Sequence, residues 1–155
     1  MKRFLFVALL ASILMSFALP EPSAMPAAKP QGPDRLAREK FIDLTLHTNE
    51  GCTVRFRGTL SYTLLGFNIT GFTGQIILSG PGSCPNTTLT VSYAARNVAP
   101  GYAGMFTDRP ELCSVNTVKW FPADKNLSAL LNDTGVSNAL VQEMKKGICT
   151  NADIQ

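Results

Sequence analysis

His47 is the only histidine in the chain, and Asp43 stands four residues before it. On a strand, residues an even number apart share a face, so this carboxylate could orient the imidazole as a general base. A base needs a nucleophile beside it. No Gly-x-Ser-x-Gly occurs, and the four cysteines (Cys52, Cys84, Cys113, Cys149) are an even set better suited to disulfides. A histidine on the wet face of a strand reads first as a solvated surface residue. Glycoside hydrolysis needs paired carboxylates, and the eleven acids are scattered without a cluster.

Other chemistries fail on spacing. The glycine-rich stretches Gly66–Gly74 and Gly80-Pro-Gly82 carry no Gly-Lys-Ser/Thr, so neither is a phosphate loop. Zinc would require Cys-x-x-Cys spacings that are absent, and there is no calcium loop. No cofactor and no metal is expected. These readings lean against an enzyme.

Two sets of residues suit contact with a ligand or partner. Arg55 and Arg57 share the wet face of one strand and could take an anionic group such as a glycan sulfate or a lipid head group. Phe67 and Phe72, with Tyr102, Met105 and Phe106, could line a small apolar pocket or patch, or serve as core.

The chain of 155 residues is long enough for one domain. Lys2-Arg3 followed by the apolar run Phe4–Phe17 has the form of a secretory signal ending near Ala18. The run falls short of the roughly 20 residues that span a bilayer, and no later segment reaches that length. Removing residues 1–18 leaves twelve basic residues against eleven acids, a net charge of +1. The remaining basic residues form local pairs, not a stripe, which argues against nucleic acid.

In an oxidising compartment the cysteines predict a disulfide framework, with Cys52–Cys84 and Cys113–Cys149 the expected pairing among three connectivities. Each bridge would contribute about 3–4 kcal/mol by restricting the unfolded chain. Four N-x-S/T sequons (Asn68, Asn86, Asn126, Asn132) predict N-glycosylation, with Asn86 and Asn132 in turn clusters the best placed. Asn126 also suits a helix cap.

The elements that must position these groups are mostly strands. Residues 19–39 are proline-rich and read as a linker or pro-segment. Arg35-Leu-Ala-Arg38 is a possible processing site, and the bland alternative is a helical turn over Asp34–Lys40. Residues 40–150 form the domain, and residues 151–155 a frayed tail. Phe41–Thr48 alternates as a strand, and Asn49-Glu50-Gly51 turns the chain. Cys52–Leu64 alternates over thirteen residues, with Gly58 as the gap where a bend or bulge is expected. Leu65–Gly74 reads as a connection, and Gln75–Ser79 and Thr87–Ala94 as strands. Arg96–Leu112, broken by Pro100, Gly101, Gly104 and Pro110, reads as an irregular loop. Ser114–Phe121 resumes a strand.

Val136, Leu140, Val141, Met144 and Ile148 then recur at helical spacing, with Thr134 or Ser137 as N-cap. The fold class is therefore α+β: a curved antiparallel sheet of five or six strands with one or two C-terminal helices on its apolar face. An all-β sandwich is the alternative. The expected function is a secreted, disulfide-stabilised glycoprotein binding or effector module whose partner is an extracellular protein, glycan or lipid. A carrier of a small apolar ligand is the second class, and a small secreted hydrolase the third.

Overall fold

The structure is a computed structural model and describes residues 37–150. The expected signal segment, Arg35 and the expected tail from Asn151 lie outside the described residues. Six strands form one sheet in chain order: β1 (Ala37–His47), β2 (Thr53–Thr63), β3 (Ile69–Ser79), β4 (Thr87–Tyr93), β5 (Tyr102–Thr107) and β6 (Val118–Pro122). Two helices follow, α1 (Ser128–Leu131) and α2 (Thr134–Lys145). This is an α+β fold whose sheet ends in two edges, β1 and β6, and does not close into a barrel.

The sheet is mixed. Every neighbouring pair is antiparallel except β4–β5, which runs parallel with Thr90 opposite Tyr102 and Tyr93 opposite Met105. The segment expected as an irregular loop thus contains a strand. Its glycine has a packing reason. The chain linking β4 to β5 passes over the sheet, and the Ala95 carbonyl sits where a Cβ on Gly104 would be. Only glycine admits that approach.

Gly58 also differs from expectation. The β2 register runs unbroken through it, and the irregularity falls at Ser61/Tyr62. Gly58 lies opposite Gly74 of β3, inside a strand that begins at Ile69, well before the expected Gln75. A Cβ on Gly58 would lie 2.5 Å from the Thr73 carbonyl and 2.8 Å from the Gly74 Cα, and the Phe72 ring covers the remaining space. The glycine pair marks close backbone contact, and the expected bulge is not at Gly58. At the chain's start, Ala37–Lys40 is extended and paired with Leu60–Thr63, not helical.

Alternation sorts the side chains. Ile42, Val54, Phe56, Leu60, Phe72, Ile76, Leu89, Val91, Met105 and Trp120 are buried on one face. Phe56 and Trp120 stack there, with ring centroids 5.5 Å apart. Val136, Leu140, Val141 and Met144 of α2 are buried in the same cluster. Full burial of an aliphatic side chain of this size is worth about 1.5–3 kcal/mol, so this one stripe is a main attachment of helix to sheet.

Polar contacts complete the attachment. Lys40 Nζ donates to the carbonyls of Glu143 and Lys146 at the end of α2. Burial lowers its pKa from the usual 10.5, while the nearby Glu143 carboxylate pulls the other way. Asp133, not Thr134 or Ser137, is the N-cap of α2, its Oδ1 accepting from the amides of Gly135 (2.8 Å) and Val136 (3.1 Å).

Two side chains finish the β6 edge in place of a seventh strand. Ser137 Oγ donates to the Val118 carbonyl and accepts from the Val118 amide, both at 3.1 Å. Asn132 Oδ1 accepts from the Trp120 amide (2.8 Å), and its Nδ2 donates to the Trp120 carbonyl (3.0 Å). Backbone groups that an edge would leave unpaired are satisfied in this way. Disulfides Cys52–Cys84 and Cys113–Cys149 tie the start of β2 to the β3–β4 loop, and the turn before β6 to the end of α2.

Candidate functional site

Strand alternation that buries one face of the sheet leaves the other to solvent, and among the described residues no helix packs there. That open face is rich in hydroxyls: Thr59, Thr73, Thr88 and Thr90 project from β2, β3 and β4. Across four strands the register lines up Arg57, Gln75, Thr90 and Tyr102 as successive neighbours. All four are exposed, Tyr102 to 41 %.

The two arginines are not equivalent. Arg55 grips Asp43 with two hydrogen bonds, Nε to Oδ1 at 2.7 Å and Nη2 to Oδ2 at 2.6 Å. The donated hydrogen bonds and the positive charge hold the Asp43 carboxyl below its ordinary range. Arg57, directly opposite Asp43 in the register, makes no hydrogen bond or salt bridge among the described residues. On the open side of β2 to β6 there is no acidic residue; Glu39 and Asp43 of the edge strand β1 are the carboxylates on that side.

Further cations reach the same face. Lys119 of β6 is exposed there. Arg96, from the chain that crosses over Gly104, lies 5.3 Å above the Phe106 ring and 5.5 Å above the Phe121 ring. Those two rings pack edge to face. Each such cation–π contact is worth about 0.5–1 kcal/mol at an exposed site.

The aromatic residues grouped in the sequence do not form one pocket. Phe72 and Met105 are core. Phe67 packs half-buried against Tyr62 at the β2–β3 turn, with φ +46°. Phe106 is held by Phe121 and Arg96, and Tyr102 stands free on the open face. Beneath Gly58 the space is filled by Phe72, with Ile42, Phe56 and Leu60 fully buried around it. That removes the cavity a carrier would need at this point.

The chain matches no family model, no curated protein and no solved structure.

A second region is concave. An open cleft of about 840 Å³ lies at the end of the sheet, between the β1–β2 turn, the Cys52–Cys84 loop and the helical segment after β6. His47, Glu50, Asp124 and Asp133 are in its wall. His47 Nδ1 is 3.2 Å from the Thr53 hydroxyl, and Asp43 is taken by Arg55, so the histidine–carboxylate pair does not form. Asp133 caps α2, and Asp124 caps the 3-10 turn at Lys125–Leu127 by accepting from the Asn126 amide at 2.9 Å. Asn126 is therefore capped, not the cap. Among the described residues no group of three His, Cys, Asp or Glu side chains could hold a metal ion.

The four sequon asparagines all lie outside the strands. Asn68 is half-buried in the β2–β3 turn, Asn86 is exposed in the β3–β4 loop, and Asn126 and Asn132 belong to the helical layer. Asn132 Nδ2 is already committed to the Trp120 and Ser128 carbonyls. A glycan on that nitrogen would remove one of its two hydrogens, a cost the sequon pattern did not reveal.

Proposed function

We propose that this protein is a secreted, disulfide-stabilised binding module that takes an anionic extracellular partner on the open face of its sheet. The observation that carries the reading is Arg57, an exposed guanidinium without a salt bridge, at the β2 end of a surface whose strands β2 to β6 contribute no carboxylate. An exposed charge on a flat surface steers an oppositely charged partner and orients it. The leader-like start of the chain and its two disulfides support an oxidising, extracellular setting. The three sequons besides Asn132, those of Asn68, Asn86 and Asn126, support the same face as the contact surface, because glycans at those positions would leave the strands clear.

The test is binding of the purified full chain to cells and matrix of its source, with one charge reversed on the face and one away from it. Arg57→Glu should abolish retention at physiological salt, while Lys146→Glu, at the end of α2, should leave it intact. Equal behaviour of the two variants would refute the assignment to this face, as would absence of binding by the unaltered protein.

A further inference from the structure

We infer that the partner of the open face is a sulfated or otherwise polyanionic glycan chain, lying across the strands along Arg57, Gln75, Thr90 and Tyr102. The inference rests on the reading of that face as the contact surface, and it adds the chemistry of what is bound.

The sheet register brings these four side chains side by side, one per strand. Neighbouring strands are about 4.8 Å apart, so the row extends roughly 14 Å, a length suited to a short oligosaccharide. Its order is chemically graded. Arg57 offers a planar fork of donors that fits the paired oxygens of a sulfate or carboxylate. Gln75 and Thr90 each both donate and accept, as sugar hydroxyls do. Tyr102 ends the row with an exposed ring, apolar on its face and polar at its tip, the amphipathic shape that suits a sugar's CH surface and rim. Lys119, opposite Phe106, and Arg96, over the Phe106 ring, add positive charge to the same face four residues along β5 from Tyr102.

A bilayer is a poorer fit. Interfacial binding needs apolar side chains projecting from the charged surface into the head-group boundary. Along the row the residues between Arg57 and Tyr102 are an amide and a hydroxyl. The exposed leucines, Leu64 and Leu65, lie at the β2–β3 turn beyond the end of the face, and Phe41 is a lone ring on the edge strand. A nucleic acid would call for a longer track of cations than this row has.

The experiment measures binding of a heparin octasaccharide to the purified full chain by calorimetry, with Arg57→Gln, Tyr102→Ala and Lys146→Gln as variants and circular dichroism as the check on folding. Arg57→Gln should weaken binding roughly tenfold, the scale of one charge-assisted contact, and reduce its salt dependence. Tyr102→Ala should weaken it with the salt dependence unchanged, and Lys146→Gln should bind as the parent does. Failure of the octasaccharide to bind, or equal binding to Arg57→Gln, overturns the glycan assignment.

A parallel measurement separates the two levels of inference. Binding to source cells is repeated after enzymatic removal of sulfated glycans, and binding to phosphatidylserine vesicles is measured alongside. Loss of cell binding on glycan removal supports the proposal. Arg57-dependent binding that survives removal, or that transfers to the vesicles, overturns the glycan while preserving the face. Cell binding that is indifferent to Arg57 overturns both.

Discussion

The cleft and the open face have opposite credentials. The cleft is concave, holds about 840 Å³ and gathers the only histidine with three carboxylates. The face is flat. By volume the cleft is the better site. By the accounting of polar groups it is the worse one. Asp133 and Asp124 each spend an oxygen on backbone amides, and His47 sits at a threonine hydroxyl, which leaves Glu50 as the one carboxylate of the wall without a hydrogen bond among the described residues. On the face, Arg57 and the row beside it retain their hydrogen-bonding capacity. What distinguishes a contact surface here is capacity left over after folding, not empty space.

The comparison can be attacked first at its largest structural dependence. Gly104 lets the chain carrying Arg96 lie against the open side of β5. Gly104→Val should cost roughly 3 kcal/mol or more, because the obstacle is backbone and cannot rotate away. Urea unfolding with Trp120 fluorescence reads the loss. A variant as stable as the parent would mean that this part of the face is not roofed.

Asn132→Ala tests the helical layer. It strips partners from the amide and carbonyl of Trp120, and one unsatisfied buried group costs about 1–3 kcal/mol. By the same logic, mass spectrometry of the secreted protein should find Asn132 without a glycan. Occupancy at Asn132 in stable, folded material would contradict the hydrogen bonds described.

The third prediction sets the regions against each other. Asp133→Ala, in the cleft, should lower stability by about 1 kcal/mol through loss of the α2 cap and leave partner binding unchanged. Arg57→Ala should leave stability within about 0.5 kcal/mol and weaken binding about tenfold. Thermal unfolding and cell binding on the same two proteins decide it. If Asp133→Ala loses binding while still folded, the cleft takes part and the contrast fails.

Much of the fold was legible because alternation is a local signal. β1, β2 and β4, the α2 stripe and the helical second layer follow from residues read two or four apart. What stayed hidden depends on contacts between distant segments. β5 was invisible because Gly104 and Pro100 read as loop punctuation, whereas Gly104 is required by Ala95 passing over it. The close contact of Gly58 stayed hidden because its partner Gly74 lies sixteen residues on, across a turn that reads as part of a connection. For the site, Arg55 and Arg57 were equal in sequence. Their difference comes from Asp43, whose carboxylate reaches diagonally to hydrogen-bond Arg55 and interacts with its direct neighbour Arg57 through charge alone. Gln75 and Thr90 carried no signal at all, since only the register joins them to Arg57 and Tyr102.

The Asp43–Arg55 pair yields the smallest effect and a sign that separates stability from binding. In the fold, Arg55 holds the Asp43 carboxyl below its ordinary value of 3.8. As pH falls, the unfolded chain therefore takes up this proton first. Between 3.8 and the lower folded value the unfolded state binds more protons, so the pair's contribution is present above that window and is lost through it. Because both groups are solvent-exposed, that loss should be slight. Binding moves the other way. A protonated Asp43 releases Arg55, which becomes a second unpaired guanidinium one position from Arg57 on the same face of β2. A sulfate keeps its charge in this range, whereas a carboxylate ligand loses its own. Affinity for a sulfated oligosaccharide should therefore rise as pH is lowered through the window while the protein stays folded, and affinity for a carboxylated one should fall. Asp43→Asn should bring the gain to neutral pH, with Arg55 free throughout. If calorimetry shows no gain for Asp43→Asn, Arg55 does not reach the ligand, and the binding row begins at Arg57 alone.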